Sequence, residues 1–340
     1  MKIFVLKRMA FILPQLFLVA AAVFLLLRAL PIDPVSKVVG LVSTPEARAL
    51  AKEDLGLDVS IGTQLGRFMK DLVSVGSPEV FGVSWSTKEY VRDEIVQKFP
   101  VTIQLIVLAF VLAVAIAIPV GRMAASRPGG KTDKTVLGYS LFAGAQPDFW
   151  WGLMFIFIFY SQAKWFPSPT GLYSPNVDVP PDTTKFILLD SLIYGKWDAF
   201  VDVLKHLALP VITLTFILTG PLVKMTRTSV LNVVNSDYIL YAKAAGLPAK
   251  TVKRYMLRNS LAPVITLGGI LFGFMLGGAV LIETVFTLDG AGRYALLRML
   301  DIDFPAVQGA VVVMTAFSLL IYLLMDIIYA ALDPRVRLTR

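Results

Sequence analysis

Ionisable side chains set inside apolar sequence are where chemistry would reside, and this chain has few. Asp148 follows Gln146 and Pro147, Glu283 follows the run Gly277 to Ile282, and Asp326 stands near the end of the last apolar stretch. An acid at membrane depth faces a bundle interior or a water-filled path and usually finds a partner. Asp148 and Glu283 are therefore candidate pore or gate residues, where a carboxylate would guide a cationic end of cargo. The plainer roles are helix capping, packing or an internal ion pair. His206 is the only His, and there is no Cys. Thiolate catalysis, disulfide frameworks and cysteine metal sites are thereby excluded. One His is also a poor start for a Ser-His pair, a proton relay or a histidine-rich metal site. No cluster of His, Asp and Glu forms a catalytic set. The pattern G-x-x-x-x-G-K-[ST] is absent, so no P-loop cradles nucleotide phosphates.

A second constellation lies in the polar stretch from Asn235 to Pro248. Asn235, Ser236 and Asp237 offer helix N-caps. Gly246 offers a left-handed stop and Pro248 bars continuation. The spacing predicts a helix of about two turns, too short to persist alone in water. Tyr238, Tyr241, Ala242 and Ala245 fall at i, i+3, i+4 and i+7, on one face. Such a face either rests on its own protein or the bilayer surface, or serves as a docking knob for a partner. Periodicity does not choose between them.

These residues must be held by membrane-spanning elements. Of the 340 residues, 56% are hydrophobic and 16% charged. A soluble domain carries about 25% charged residues, so a soluble enzyme and a disordered chain are both excluded. A span needs about 20 apolar residues, and six runs qualify. They cover about Met9–Leu30, Val101–Val120, Val136–Tyr160, Leu207–Val223, Leu261–Ile282 and Val307–Leu332. The fourth is the weakest, interrupted by Pro210, Gly220 and Pro221. The first is expected to remain as an anchor, because it is too long for a signal peptide and no small-x-small site follows it.

The formal net charge is +8. Lys2, Lys7, Arg8, Arg122, Arg127, Lys131, Lys134, Lys224, Arg227, Lys243, Lys250, Lys253, Arg254, Arg258, Arg335, Arg337 and Arg340 would share one side, opposed only by Asp133, Asp237 and Asp333. Positive loops stay in the cytoplasm, which places both termini there. The surplus is a topological signal, so no nucleic-acid partner is expected. Three parts follow: 1–30 with the first span, an external segment 31–99, and a core 100–340. The core carries an external loop at about 161–205 and a cytoplasmic loop at about 224–260. Outside the membrane, Thr44 is expected to cap a helix from Pro45 that stops at Gly56, and a second helix is expected over Ile61–Leu72.

The cytoplasmic loop resembles that of ABC-importer permeases, and in particular the oligopeptide/dipeptide permease family, whose version reads Y-x-x-x-A-x-A-x-G and then R-N-x-x-x-P. Here those positions are Tyr238, Ala242, Ala244, Gly246, Arg258, Asn259 and Pro263. The likeness continues through Pro31-Ile32-Asp33-Pro34, Leu55-Gly56-Leu57-Asp58, Phe99-Pro100-Val101-Thr102, His206 to Pro210, Gly277 to Phe286, Asp303 to Gly309 and Leu332 to Arg337. Leu240 stands where the general loop of these permeases opens with an acid, which the peptide branch commonly lacks. The segment Val75–Thr87, with Trp85, follows no pattern of the family.

The resemblance implies an all-α polytopic protein of the bacterial inner membrane, with six spans and the type I ABC-importer permease fold. It implies half of a translocation pore for di- and oligopeptides. Its partners would be a homologous second permease subunit, cytoplasmic ATPase subunits, an external substrate-binding protein and the lipid bilayer. ATP and Mg would be bound by the ATPases, this chain itself holding no cofactor and catalysing nothing. The docking surface would be Asp237, Tyr238, Tyr241, Ala242, Ala245, Gly246, Leu247 and Lys250. Import of a nickel chelate or an oligosaccharide fits the same architecture. An ATP-independent channel or a secondary transporter is the alternative from another class.

Overall fold

A computed structural model describes residues 2–40, 43–74, 77 and 79–332. The tail from Asp333, including Arg335, Arg337 and Arg340, lies outside them, as do Val75, Gly76 and Pro78 of the unassigned external segment. The regular secondary structure of the described residues is helical but for one isolated antiparallel bridge, Val83 to Tyr90. In chain order the helices are α1 (Lys2–Ala29), α2 (Pro34–Val39), α3 (Pro45–Asp54), α4 (Ile61–Val73), α5 (Val91–Ser126), α6 (Lys131–Ala143) and α7 (Asp148–Phe155), which widens into a π-helical stretch over Ile156–Gln162. They continue as α8 (Ile187–Ile193), α9 (Trp197–Val234), α10 (Asp237–Ala244), α11 (Ala249–Val285), α12 (Ala291–Leu300) and α13 (Phe304–Leu332).

Five helices are individually long and apolar enough to cross a membrane: α1 from Arg8, α5, α9, α11 and α13. α6 and α7 with its π-helical extension pass the same test only as a pair, bent by 102° into either a broken span or a re-entrant loop. Here the continuous third span expected over Val136–Tyr160 is corrected. Gly144 and Pro147 bracket a break, since proline disfavours the helical conformation of the residue before it. The fourth span, expected to be the weakest, is one unbroken helix of 38 residues whose apolar window is 72% buried, more than any other span. Beside Pro221, α6 donates to two carbonyls of α9: Tyr139 Oη to that of Phe216, and Ser140 Oγ to that of Gly220 at 2.9 Å. Neighbouring donors are what make a breaker tolerable in a membrane helix.

Packing divides the chain into two compact units. One comprises Met1–Leu6, Ile103–Leu288 and the stretch from Leu320 onward. Its centre is α9 against α11, with α6 and α7 alongside. The approach is close: a Cβ added at Gly121 of α5 would sit 2.6 Å from the Thr226 Cβ of α9. The other unit comprises Lys7–Thr102 and Asp289–Leu319. There Phe24 stacks on Phe68 at 5.6 Å, within a cluster that adds Ala20, Leu72 and Val312. The expected external helices are present, with Thr44 Oγ1 accepting from the Ala47 amide and Gly56 left-handed at φ 64°.

Asp33 brackets α2 and α3 in this second unit. Its carboxylate accepts from the Val35 amide at 3.0 Å, from Ser36 Oγ at 2.5 Å and from the Arg48 guanidinium. The Ser36 hydroxyl, then the Arg48 and Val35 donors, hold its pKa below the ordinary carboxylate value. The charged form therefore supports the bracket above the unfolded pKa, and that support fades as pH falls through the lower folded value. The pair is half exposed, so the effect is on the order of 1 kcal/mol or less. Hydrogen-exchange protection over residues 34–48 is expected to drop on acidification, and Asp33→Asn is expected to flatten that dependence. An unchanged profile in Asp33→Asn would show that Asp33 is not its source.

Candidate functional site

The stretch from Asn235 to Pro248 forms the expected short helix, in the unit built on α9 and α11, but without the expected side-chain N-cap bond. Ser236, in extended conformation, starts α10, and its backbone carbonyl accepts from the Ile239 and Leu240 amides. Ser236 Oγ turns back instead, donating to the Val233 carbonyl at 2.6 Å. At the far end Gly246 is left-handed at φ 70°. That conformation directs the Leu247 amide to the Ala242 carbonyl at 3.1 Å, beside the bond from the Gly246 amide to the Lys243 carbonyl at 3.0 Å. These two bonds form a Schellman cap, which satisfies carbonyls that a helix end leaves bare. Pro248 then opens α11, its carbonyl accepting from Thr251 and Val252.

Packing decides which face of α10 turns inward. Ile239 and Ala242 are buried against Val252 of α11, with Val233 and Met256 closing the cluster. Tyr238 is half exposed, and its hydroxyl accepts from Asn259 Nδ2 at 3.1 Å. The opposite surface presents Tyr241, 76% exposed, with Leu240, Ala245, Leu247, Asp237 and Lys250. Ala242 was expected on the docking face; the structure turns it to its own chain, so it sets how closely α10 sits rather than what α10 touches. Ile239, Val252, Met256 and Asn259 were not anticipated as site residues. The signal for Ile239 was its i, i+3 spacing with Ala242, a second stripe that the tyrosines outweighed.

Both helices that bracket α10 are long. At 1.5 Å per residue, α9 spans roughly 57 Å and α11 roughly 55 Å, against about 30 Å of hydrocarbon. Each therefore overruns the bilayer core by about 25 Å. The displaced end of α9 is tied sideways: Arg227 makes a two-pronged ion pair with Asp133 of α6, Nη2 to Oδ2 at 2.8 Å, and Gly129 donates its amide to the same carboxylate at 2.8 Å. Asp133 is the lone acid in its basic loop, which is the sequence signal that could have found it.

The two intramembrane acids part company. Glu283 is fully buried within its own chain and lies on no open surface. Its carbonyl accepts from the Leu288 amide at 2.8 Å around Thr287, a β-branched residue held left-handed at φ 51°. Asp148 is only partly buried, at the first turn of α7. There α7 runs along α11: Gly152 meets Ile282, Val285 and Phe286, and a Cβ added at Gly278 would sit 2.8 Å from Asp148 Oδ2. His206 is buried, its Nδ1 against the Asp202 carbonyl at 2.9 Å, a structural position. Among the described residues no group of three His, Cys, Asp or Glu could hold a metal ion.

Helices that overrun the bilayer, a bent apolar pair and a short helix seated between two long ones define a polytopic helical membrane protein. Residues 117–338 match the family described as binding-protein-dependent transport system inner membrane component, and residues 1–106 match the N-terminal region of such membrane components. The chain belongs to this family of multi-pass inner-membrane permease subunits of ABC transporters. It is 34% identical over 339 residues to the dipeptide transport system permease protein DppB of Escherichia coli, covering 98% of each chain. Against the di/tripeptide transport system permease protein DppB of Pseudomonas aeruginosa it is 34% identical over 336 residues, again 98% of each. A probable D,D-dipeptide transport system permease protein of Escherichia coli is 34% identical over 319 residues, 94% of this chain and 92% of that one.

Proposed function

We propose that this chain forms half of a peptide-conducting pore, driven through α10 by cytoplasmic ATPase subunits. A homologous permease subunit completes the pore, and an external binding protein delivers di- or oligopeptide cargo. Both termini and α10 lie in the cytoplasm, as the basic loops require. ATP and Mg are held by the ATPases. The observation that carries this reading is the seating of α10: two turns clamped between the ends of α9 and α11, with Tyr241 turned outward. Relatives at 34% identity named for dipeptide and di/tripeptide transport support the cargo class. Closure of the ATPase pair would press on α10, and because α9 and α11 leave it as rigid rods, the push would reach the membrane as a tilt of both.

Purified chain should carry no labelled dipeptide in proteoliposomes until the second permease, the ATPases, ATP and the loaded binding protein are present. Uptake by the chain alone without ATP would replace this reading with a channel or a secondary transporter. Tyr241→Ala removes the most exposed aromatic of the docking surface and is expected to weaken ATPase retention by about 2 kcal/mol, as for a central interface aromatic. Unchanged co-purification would move the ATPase contact elsewhere.

A further inference from the structure

Glu283 and Asp148 both stand where cargo would pass, yet only one is placed to meet it. Glu283 is sealed inside the packing. Asp148 sits just past the α6–α7 break, about seven residues, or roughly 10 Å, along α11 from its end at Val285. That depth is within the apolar part of α11. Among the described residues, nothing on the chain hydrogen-bonds to the Asp148 carboxylate or forms an ion pair with it. The surroundings leave room for a ligand: opposite lies Gly278, whose missing side chain lets Asp148 Oδ2 approach the α11 backbone, and a Cβ added at Gly277 would meet nothing within 4 Å. Gln146 and Pro147 beside it are exposed.

The position is also rigid. Trp151 Nε1 donates to the Ala143 carbonyl at 3.1 Å, across the break. Its ring packs on Phe142 at 4.9 Å and on Phe216 at 4.6 Å. The first turn of α7 favours a carboxylate at Asp148, and with no cation of its own chain paired to it, this partly exposed charge on a stiff elbow is left available to a mobile cation. Acids at such depth face a water-filled path and pair with what moves through it.

We propose that Asp148 is a cargo-recognition residue that receives the α-ammonium group of a peptide in transit, with the open surface at Gly277 giving the backbone beside that amine its clearance. This rests on the reading of the chain as half of a peptide pore. Asp148 thus acts on specificity and passage, while Glu283 has a structural part.

Two measurements on the assembled transporter test it. The chain has no Cys, so Asp148→Cys places a single thiol in this subunit. A water-soluble cationic thiol reagent is expected to modify Asp148→Cys in at least one of the ATP-bound and nucleotide-free states, and faster than an anionic reagent of similar size. No modification in either state overturns the pore placement. The second measurement compares uptake of a dipeptide with uptake of its des-amino analogue. The wild-type complex is expected to favour the amine-bearing cargo. Asp148→Asn should narrow that ratio about tenfold through a raised KM, and Asp148→Glu should restore it. An unchanged ratio in Asp148→Asn overturns the amine assignment, as does equal loss of both cargoes with poor assembly, which marks a packing role. If the wild-type complex moves no peptide at all, the peptide-pore reading fails, and the thiol result still reports whether Asp148 faces water.

Discussion

Gly246→Val is expected to leave the protein in the membrane and to cut ATP-coupled uptake at least tenfold, with ATPase subunits retained poorly. The reason is conformational. Gly246 is left-handed at φ 70°, and a Cβ added there would touch nothing within 4 Å. Space is therefore not the constraint; the dihedral is. The left-handed state costs an ordinary L-residue about 1–2 kcal/mol, and a β-branched one more. Relieving that cost means turning Gly246 to negative φ, which swings the chain beyond it away and forfeits the capping bond from the Leu247 amide to Ala242. The last turn of α10 then frays and Leu247 leaves the docking surface. Asparagine adopts this conformation more readily than other side chains do. The expected order of coupled uptake is therefore Gly, then Gly246→Asn, then Gly246→Ala, then Gly246→Val, measured beside ATPase co-purification. If Gly246→Ala outperforms Gly246→Asn, side-chain size rather than backbone conformation governs the site and the argument fails.

Local chemistry was what the sequence could disclose. The boundaries of α3 and the end of α10 follow from caps and stops carried within each segment: Thr44 and Gly56, and Gly246. The apolar runs follow from composition, five of them as helices long enough to span and the third as a bent pair, and the order of the motifs identified the family. What stayed hidden depends on residues far apart in the chain. Hydropathy averaged over the third span masked its break, although Gly144 and Pro147 are both in the sequence. The prolines of α9 argued against a strong span because the neighbours that support it there, Tyr139 and Ser140, belong to another helix. The segment ending at Thr87 matched no motif because its anchor is remote: Ser84 Oγ and Ser86 Oγ both donate to the buried Asp303 carboxylate, at 2.6 and 2.7 Å. Likewise the spacing of Tyr238, Tyr241, Ala242 and Ala245 defined a face of α10 without saying what lay beneath it. Val252 and Met256, a turn into the next helix, settled that Ala242 points inward.

The seat of α10 also sets the largest loss of function expected from one residue. Ile239 is fully buried against Ala242 and Val252, with Val233 and Met256 around it. Burying such a side chain stabilises by about 1.5–3 kcal/mol, and a carboxylate in its place adds the cost of an unpaired charge in apolar surroundings. An eight-residue helix has no reserve of its own to absorb this, since isolated helices shorter than about 12 residues are marginal in water. A deficit of about 3 kcal/mol already lowers the seated population more than 100-fold. Ile239→Asp is therefore expected to abolish binding-protein-stimulated ATPase activity and to strip exchange protection from residues 237–247. The helical spans should keep theirs, because α9 and α11 pack along their length independently of α10. Ile239→Val removes one methylene, costs about 0.5–1.5 kcal/mol and should leave partial coupling. This separates seating from docking: Tyr241→Ala should lose the ATPase while α10 remains protected, whereas Ile239→Asp should lose both together. A coupled, fully active Ile239→Asp transporter would mean that force enters the membrane by some route other than this helix.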